Sequence, residues 1–161
     1  MNAKDKSVTN VPIATVFTKE NKEKISVSEE FDRDFEYEYV DAHPNKELVF
    51  FHKPSKTVIE ADLLFNLPAT EQYSKSGIDA TTGIFTRLFA GVQNTKGNAT
   101  WQKRLLWYAF SSSDREGFNK SVKRINSWGF ENVVPCHGDT IVGGGKGIFE
   151  KVFEWHLQGK K

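Results

Sequence analysis

From Phe35 the chain alternates: Phe35, Tyr37 and Tyr39 are separated by Glu36 and Glu38. That period of two predicts a half-buried strand. Two β-branched and aromatic runs follow, Leu48-Val49-Phe50-Phe51-His52 and Thr57-Val58-Ile59-Glu60-Ala61-Asp62. The Lys53-Pro54-Ser55-Lys56 stretch between them has proline at the second turn position, so the pair reads as a hairpin. Residues 66–82 are polar, carry Ser, Thr and Gly, and show no period. The pattern then becomes helical. A short helix is predicted over Ile84 to Val92, ended by Gly91 or Asn94. Asn98 or Thr100 caps a second helix through Phe110, with Trp101, Leu105 and Tyr108 on one face. Ser113-Asp114-Arg115-Glu116 has capping-box spacing and opens a third, with Phe118, Val122 and Ile125 at helical spacing and Gly129 at its stop. Val133-Val134 is a returning strand. After it, Gly143-Gly144-Gly145 leads into a last helix bearing Ile148, Val152, Phe153 and Trp155.

Strands come first and helices follow, with one strand returning late. The expected fold class is therefore α/β: a mixed β-sheet with helices packed on it. Residues 1–30 form a polar, loosely ordered head. Val11 to Phe17 could add one strand there, and Lys19 to Lys24 is a solvated charge cluster. Residues 31–161 form the structured domain.

A length of 161 residues suits one domain with a sizeable core, and 13% aromatic residues argue against disorder. The 22 basic and 21 acidic side chains leave a net charge of +1, which provides no strong field for nucleic acid or an anionic membrane. The one cysteine, Cys136, permits no internal disulfide and fits a reducing compartment. Met1 to Asn10 lacks the apolar core of a signal peptide. The longest apolar run, Leu105 to Phe110, is too short to span a bilayer, and Gly159-Lys160-Lys161 matches no common targeting signal. These features lead to the expectation of a soluble, cytoplasmic protein that binds neither nucleic acid nor membrane.

The candidate chemistry sits at strand ends. In Val133-Val134-Pro135-Cys136-His137-Gly138-Asp139 an apolar pair breaks at a proline and presents His137 on a turn. That histidine reads as a loop hydrogen-bonding group or as a metal ligand at the carboxyl end of a strand. Asp139 either orients the imidazole or ties down its own loop. Asp62, between Val58-Ile59 and Leu63-Leu64-Phe65, needs a partner: backbone donors, a base or a metal. His43, in Asp41-Ala42-His43-Pro44-Asn45, is either a third ligand or a turn histidine. His52 faces solvent on this reading, and His156 belongs to surface or packing. Gly143-Gly144-Gly145-Lys146-Gly147 fails both the P-loop and the dinucleotide-binding frames. Cys136 and His137 are adjacent and point apart, and no Gly-x-Ser-x-Gly elbow occurs.

With Asp62 and His137 identified, the pattern resembles the C-terminal half of a metallo-β-lactamase-fold protein. Pro135-Cys136-His137-Gly138 looks like the last metal-binding loop of that fold. A nearer resemblance, over about residues 31 to 157, is to a largely fungal metallo-β-lactamase-like family. It is carried by Phe51-His52-Lys53-Pro54-Ser55-Lys56-Thr57 and by Ala61-Asp62-Leu63-Leu64-Phe65-Asn66-Leu67-Pro68-Ala69-Thr70-Glu71-Gln72-Tyr73. The resemblance implies half of an αββα sandwich, with zinc as the metal and His43, Asp62 and His137 as ligands in that order. The His-x-His-x-Asp-His motif of the first half is absent from the sequence, and the family itself does not keep the full ligand set. A degenerate or truncated, non-catalytic domain with weak metal binding is therefore expected. The rivals are a mononuclear zinc-dependent hydrolase of unknown small-molecule substrate and an interaction module that self-associates. Loss of the first half predicts a homodimer, or poor solubility, through an uncovered edge at Phe35, Tyr37, Tyr39 and parts of Leu48 to Phe51.

Overall fold

The sheet is ordered β1-β2-β3-β4, from β1 (Phe35–Val40), β2 (Glu47–His52), β3 (Thr57–Glu60) and β4 (Asn132–Pro135). The computed structural model describes residues 13–160. Adjacent strands from β1 to β3 are antiparallel, and β3 pairs with β4 in parallel. A mixed sheet with seven α-helices among the described residues makes the chain α/β, as the strand-then-helix order predicts. The helices are α1 (Glu29–Asp34), α2 (Thr70–Tyr73), α3 (Ile84–Val92), α4 (Thr100–Leu105), α5 (Arg115–Ser127), α6 (Gly145–Val152) and α7 (Glu154–Gln158).

Side chains alternate across a strand, so register sorts them into two faces. Val49, Phe51, Val58 and Val133 face the helices and join Phe118, Val122, Ile125, Phe149, Val152 and Phe153 in the core. Glu38, Glu47 and Glu60 lie on this same face and are buried. The period of two in β1 predicts a half-buried strand, with Phe35, Tyr37 and Tyr39 on one side and Glu36 and Glu38 on the other. In the structure Glu38 and Val40 are the buried members, and the three aromatics are half-buried.

Glu38 is tolerated because its charge is met. Lys22 Nζ approaches it at 3.0 Å, Arg124 Nε at 3.2 Å, and Ser121 Oγ donates to it at 2.6 Å. Lys22 also reaches Asp41 at 2.7 Å and the Tyr39 carbonyl at 3.0 Å. Lys22 is thus drawn out of the expected solvated cluster and pins the segment before α1 to the sheet.

That segment also changes the expected uncovered edge. Phe17 packs on Tyr37 with ring centroids 4.8 Å apart. Phe31 of α1 stacks on Phe35 at 4.9 Å and meets Phe50 edge-on at 5.9 Å. The Tyr37 hydroxyl donates towards the carbonyls of Lys22 and Ile25, both at 2.9 Å. The second face of the sheet is therefore covered in part by the chain itself. Of the strand proposed over Val11 to Phe17, Val11 and Pro12 lie outside the described residues, and residues 13–17 join no strand. The expected boundary at residue 30 falls within α1.

Three helix details depart from the pattern. The N-cap of α5 is Asp114, accepting from the Gly117 amide at 2.9 Å, one residue beyond the capping-box frame. α4 turns Gln102, Lys103 and, in the π-helical turn Leu106–Phe110 that continues it, Leu106 inward, leaving Trp101 and Tyr108 exposed. Gln102 decides this rotation. Its amide accepts from the Phe65 N–H at 2.8 Å and donates to the carbonyls of Phe65 and Asn94, both at 2.9 Å. The last helix breaks at Phe153 into α6 and α7.

Two outcomes follow from this packing. Lys22→Met leaves Glu38 and Asp41 short of a buried cation, and we expect a loss of about 3 kcal/mol in urea unfolding. The second concerns His156, which is buried against Trp107, Phe118 and Phe153, with Nε2 3.1 Å from Ser111 Oγ. Burial, aided by the charge of Arg115, pulls its pKa down to about 4 from 6.5. The unfolded chain binds that proton more readily, so this contribution is complete above pH 6.5 and lost as the pH falls from 6.5 towards 4. The loss reaches about 3 kcal/mol. Urea midpoints measured across that range should fall steeply, and His156→Gln should flatten the slope.

Candidate functional site

The parallel pairing of β3 with β4 fixes the site. Glu60 lies opposite Pro135 in register, and the Cys136 amide donates to the Glu60 carbonyl at 3.0 Å. The two strands end side by side, so Asp62 and His137, each two residues past its strand, meet. His137 Nε2 is 3.1 Å from Asp62 Oδ1. The His137 ring lies parallel to Phe65, with centroids 5.6 Å apart and an interplanar angle of 9°. The other carboxylate oxygen, Asp62 Oδ2, accepts from Asn45 Nδ2 at 2.6 Å.

The turn carrying Asp62 is held by two carboxylates from the helix-facing side of the sheet. Glu47 accepts from the amides of Ala61 at 2.7 Å and Asp62 at 3.1 Å. Glu60 Oε2 accepts from Leu63 at 2.8 Å and Leu64 at 3.0 Å. Burial raises the pKa of Glu47, and raises that of the fully enclosed Glu60 well above the ordinary carboxylate value. Neither glutamate was a candidate from sequence. Period two through Val58 and Glu60 places Glu60 on the apolar side of β3, and that is the signal that could have found it.

The loop carrying His137 is tied to residue 66. The Asn66 amide donates to the His137 carbonyl at 3.1 Å, and the Asp139 amide donates to the Asn66 carbonyl at 3.0 Å. Gly138 sits at φ +119°, and a Cβ there would come within 2.3 Å of the Asn66 backbone. Glycine is required here for both reasons.

His43 lies close to this pair but is enclosed, with 1% of its surface exposed. Phe110 meets it edge-on at 4.9 Å, and Phe118 lies 6.3 Å away. Its Nδ1 accepts from the Asn45 amide at 3.2 Å, and Nε2 has no hydrogen-bond partner. Burial lowers its pKa, while the charge and main chain of Asp62 oppose part of that shift. The surface-turn alternative for His43 is thus replaced by a core position. Asp139 has other work: its carboxylate takes hydrogen bonds from Thr70 Oγ1 and, at 2.8 Å, from the Glu71 amide, with none to His137. It anchors the start of α2. His52 is half-buried and bonded to Ser55 Oγ at 2.7 Å.

Asp62 and His137 are the two candidate ligands brought together. Among the described residues no group of three His, Cys, Asp or Glu side chains is arranged to hold a metal ion. A catalytic zinc takes three protein ligands and an open position, and the convergent donors here number two. The arrangement can offer a half-exposed imidazole polarised by a carboxylate, or two ligands to an ion.

Comparison with models of known protein families, with curated proteins and with solved structures found no match.

Gly138→Ala should separate the two loops. We expect a loss of at least about 2 kcal/mol in thermal or urea unfolding, from the strained φ and the clash with Asn66. Gly129→Ala, where a Cβ meets nothing within 4 Å, is the control.

Proposed function

We propose that the chain is a non-catalytic, degenerate metallo-β-lactamase-like domain whose Asp62–His137 pair binds a divalent ion weakly. The supporting observation is the 3.1 Å approach of these two strand-end side chains, with no third ligand arranged beside them among the described residues. Two features of the surroundings favour the same reading. Glu47 and Glu60 hold the Asp62 turn through its backbone amides, so no ion is needed to shape it. The Asn45 amide already occupies the second oxygen of Asp62. Without a third ligand a bound ion is poorly placed to activate water for attack on a carbonyl or phosphoryl centre.

A second reading, the mononuclear zinc-dependent hydrolase, has one observation in its favour. His43 Nε2 is buried without a partner near Asp62, and an orphaned imidazole nitrogen is costly unless something meets it.

Calorimetric zinc titration separates the two. The non-catalytic domain gives weak binding that is lost in Asp62→Ala and in His137→Ala and unchanged in His43→Gln. It gives no zinc-dependent turnover of a thioester, a lactam or a phosphodiester. Turnover abolished by a chelator, by His137→Ala and by His43→Gln would establish the hydrolase instead.

A further inference from the structure

Helix α7 is docked on the core through a titratable side chain. It begins at Phe153, where α6 breaks with φ −96° and ψ 15°. The amides of His156 and Leu157 both turn back to the Phe153 carbonyl, at 2.9 and 3.0 Å. Within α7 the buried residue is His156, with 2% of its surface exposed. Its ring fits among Trp107, Phe118 and Phe153, with centroids 5.1, 4.9 and 6.0 Å away. Leu157 packs against the core from a partly buried position. A helix of five residues has no stability of its own in water. Its place in the fold therefore rests largely on this histidine.

The hydrogen bonds around the ring fix where its proton sits. Ser111 Oγ donates to the Leu106 carbonyl at 2.9 Å and towards that of Trp107 at 3.2 Å. Its one hydrogen is thus committed, so in the 3.1 Å bond to His156 the imidazole Nε2 donates and Ser111 Oγ accepts. Nδ1 then carries the lone pair, and it is buried with no hydrogen-bond partner. A second proton can go only to Nδ1, where no acceptor meets it, and a buried cation without a partner is costly. The charges around α7 either add to that cost or are engaged elsewhere. From α5, Arg115 acts on the ring as a like charge; it lies over Trp107 at 4.0 Å and donates to the Trp107 carbonyl. Glu154, on α7 itself, is paired with Lys103 of α4 at 2.5 Å. Lys151 of α6 is bonded to the Thr95 carbonyl at 2.6 Å, and Lys160 lies over Tyr108 and Trp155. Beyond Phe118 stands His43.

We propose that α7 is an acid-released latch: protonation of His156 at Nδ1 undocks the helix about Phe153 while the sheet and α5 stay folded. Undocking puts the imidazole in water, where both nitrogens find partners, and uncovers the parts of Trp107 and Phe118 that it packs against. Release must also break the Lys103–Glu154 pair and the edge-on contact of Trp155 with Trp107, whose centroids are 6.2 Å apart. Burial holds the docked imidazole at a pKa of about 4, and release returns it to the ordinary 6.5. Falling pH therefore favours the released helix, by up to about tenfold for each pH unit between those two values. The latch goes beyond a loss of global stability in acid, because it confines the change to one helix. It is also separate from the metal reading, since α7 contributes nothing to the Asp62–His137 pair.

Amide hydrogen exchange on the full chain tests the latch. With the intrinsic effect of pH on exchange divided out, protection of the His156 and Leu157 amides should fall roughly 20-fold between pH 7 and pH 5. Their exchange should be insensitive to low urea, because a local opening exposes little surface. The amides of Val122 and Ile125 in α5 should exchange more slowly and should accelerate with urea. His156→Gln keeps a donor for Ser111 Oγ but does not titrate, so its α7 amides should lose the pH response while circular dichroism at pH 7 shows the fold intact. Should that variant fail to fold, the series on the unsubstituted chain decides alone. One common rate and urea dependence for the α5 and α7 amides would mean that only global unfolding frees His156, and the proposal would fall. Protection of α7 that is equal at the two pH values, or a pH response that survives in folded His156→Gln, would overturn it as well.

Discussion

The parallel pairing of β3 with β4 is the constraint on which the rest of the molecule depends. Antiparallel neighbours can be joined by a tight turn, as β2 and β3 are through Lys53 to Lys56, but parallel neighbours require a crossover. Here the crossover runs from Glu60 to Asn132 and contains α2, α3, α4 and α5. Its register sets Glu60 beside Pro135, so two loops far apart in sequence leave the sheet together. The Asn66–Gly138 bridge prolongs that pairing past the strand ends. Once both are fixed, Asp62 and His137 have little freedom to avoid one another.

The same sheet explains how three glutamates sit on an apolar face. A buried carboxylate without partners is costly, and each of the three has a structural task. Glu38 receives Lys22, Ser121 and Arg124, and thereby joins the segment before α1 to α5. Glu47 and Glu60 collect four backbone amides of the turn after β3. In a metal centre the ion itself can organise such a turn. Here protein acceptors hold the main chain of the turn at Asp62. The high proton affinity of Glu60 follows from the same enclosure.

Much of this architecture is legible in the sequence, and the failures share a physical origin. The hairpin of β2 and β3, the strand at Val133-Val134 and the bounds of α3 follow from local periodicity and turn chemistry, which neighbours reinforce. The meeting of Asp62 with His137 follows from their positions at strand ends. Facing is harder. Tyr37 and Tyr39 outrank Glu38 in hydrophobicity, yet Glu38 faces inward, where Lys22, sixteen residues upstream, supplies its counter-charge. Trp101 and Tyr108 yield the inner face of α4 to Gln102, whose amide closes a bond with Phe65. His43 reads as a turn residue beside Pro44 and Asn45, and only the approach of Phe110 and Phe118 encloses it. In each case the deciding partner is distant in sequence, and local pattern has no access to it.

Net charge shows the same limit from another direction. Several cations that a composition counts as surface are consumed within the fold. Lys22 neutralises Glu38 and Asp41, Lys103 meets Glu154, and Lys53, Lys146 and Lys151 donate to the carbonyls of Asp32, Trp128 and Thr95. A lysine spent on a carbonyl stabilises a helix end or loop and contributes little to a field outside the molecule. What a partner meets is the remainder, and its distribution is uneven. Between Ala80 and Ser113 the sequence carries Arg87, Lys96, Lys103 and Arg104 and no acid, yet the fold brings Glu154 to 2.5 Å from Lys103 and sets Asp79 within the influence of Arg87. Long-range attraction depends on the balance of charge within about a Debye length, some 8–10 Å at moderate salt. Charge counted along the sequence therefore does not stand for charge in space, which is set by the side chains that folding brings within that distance.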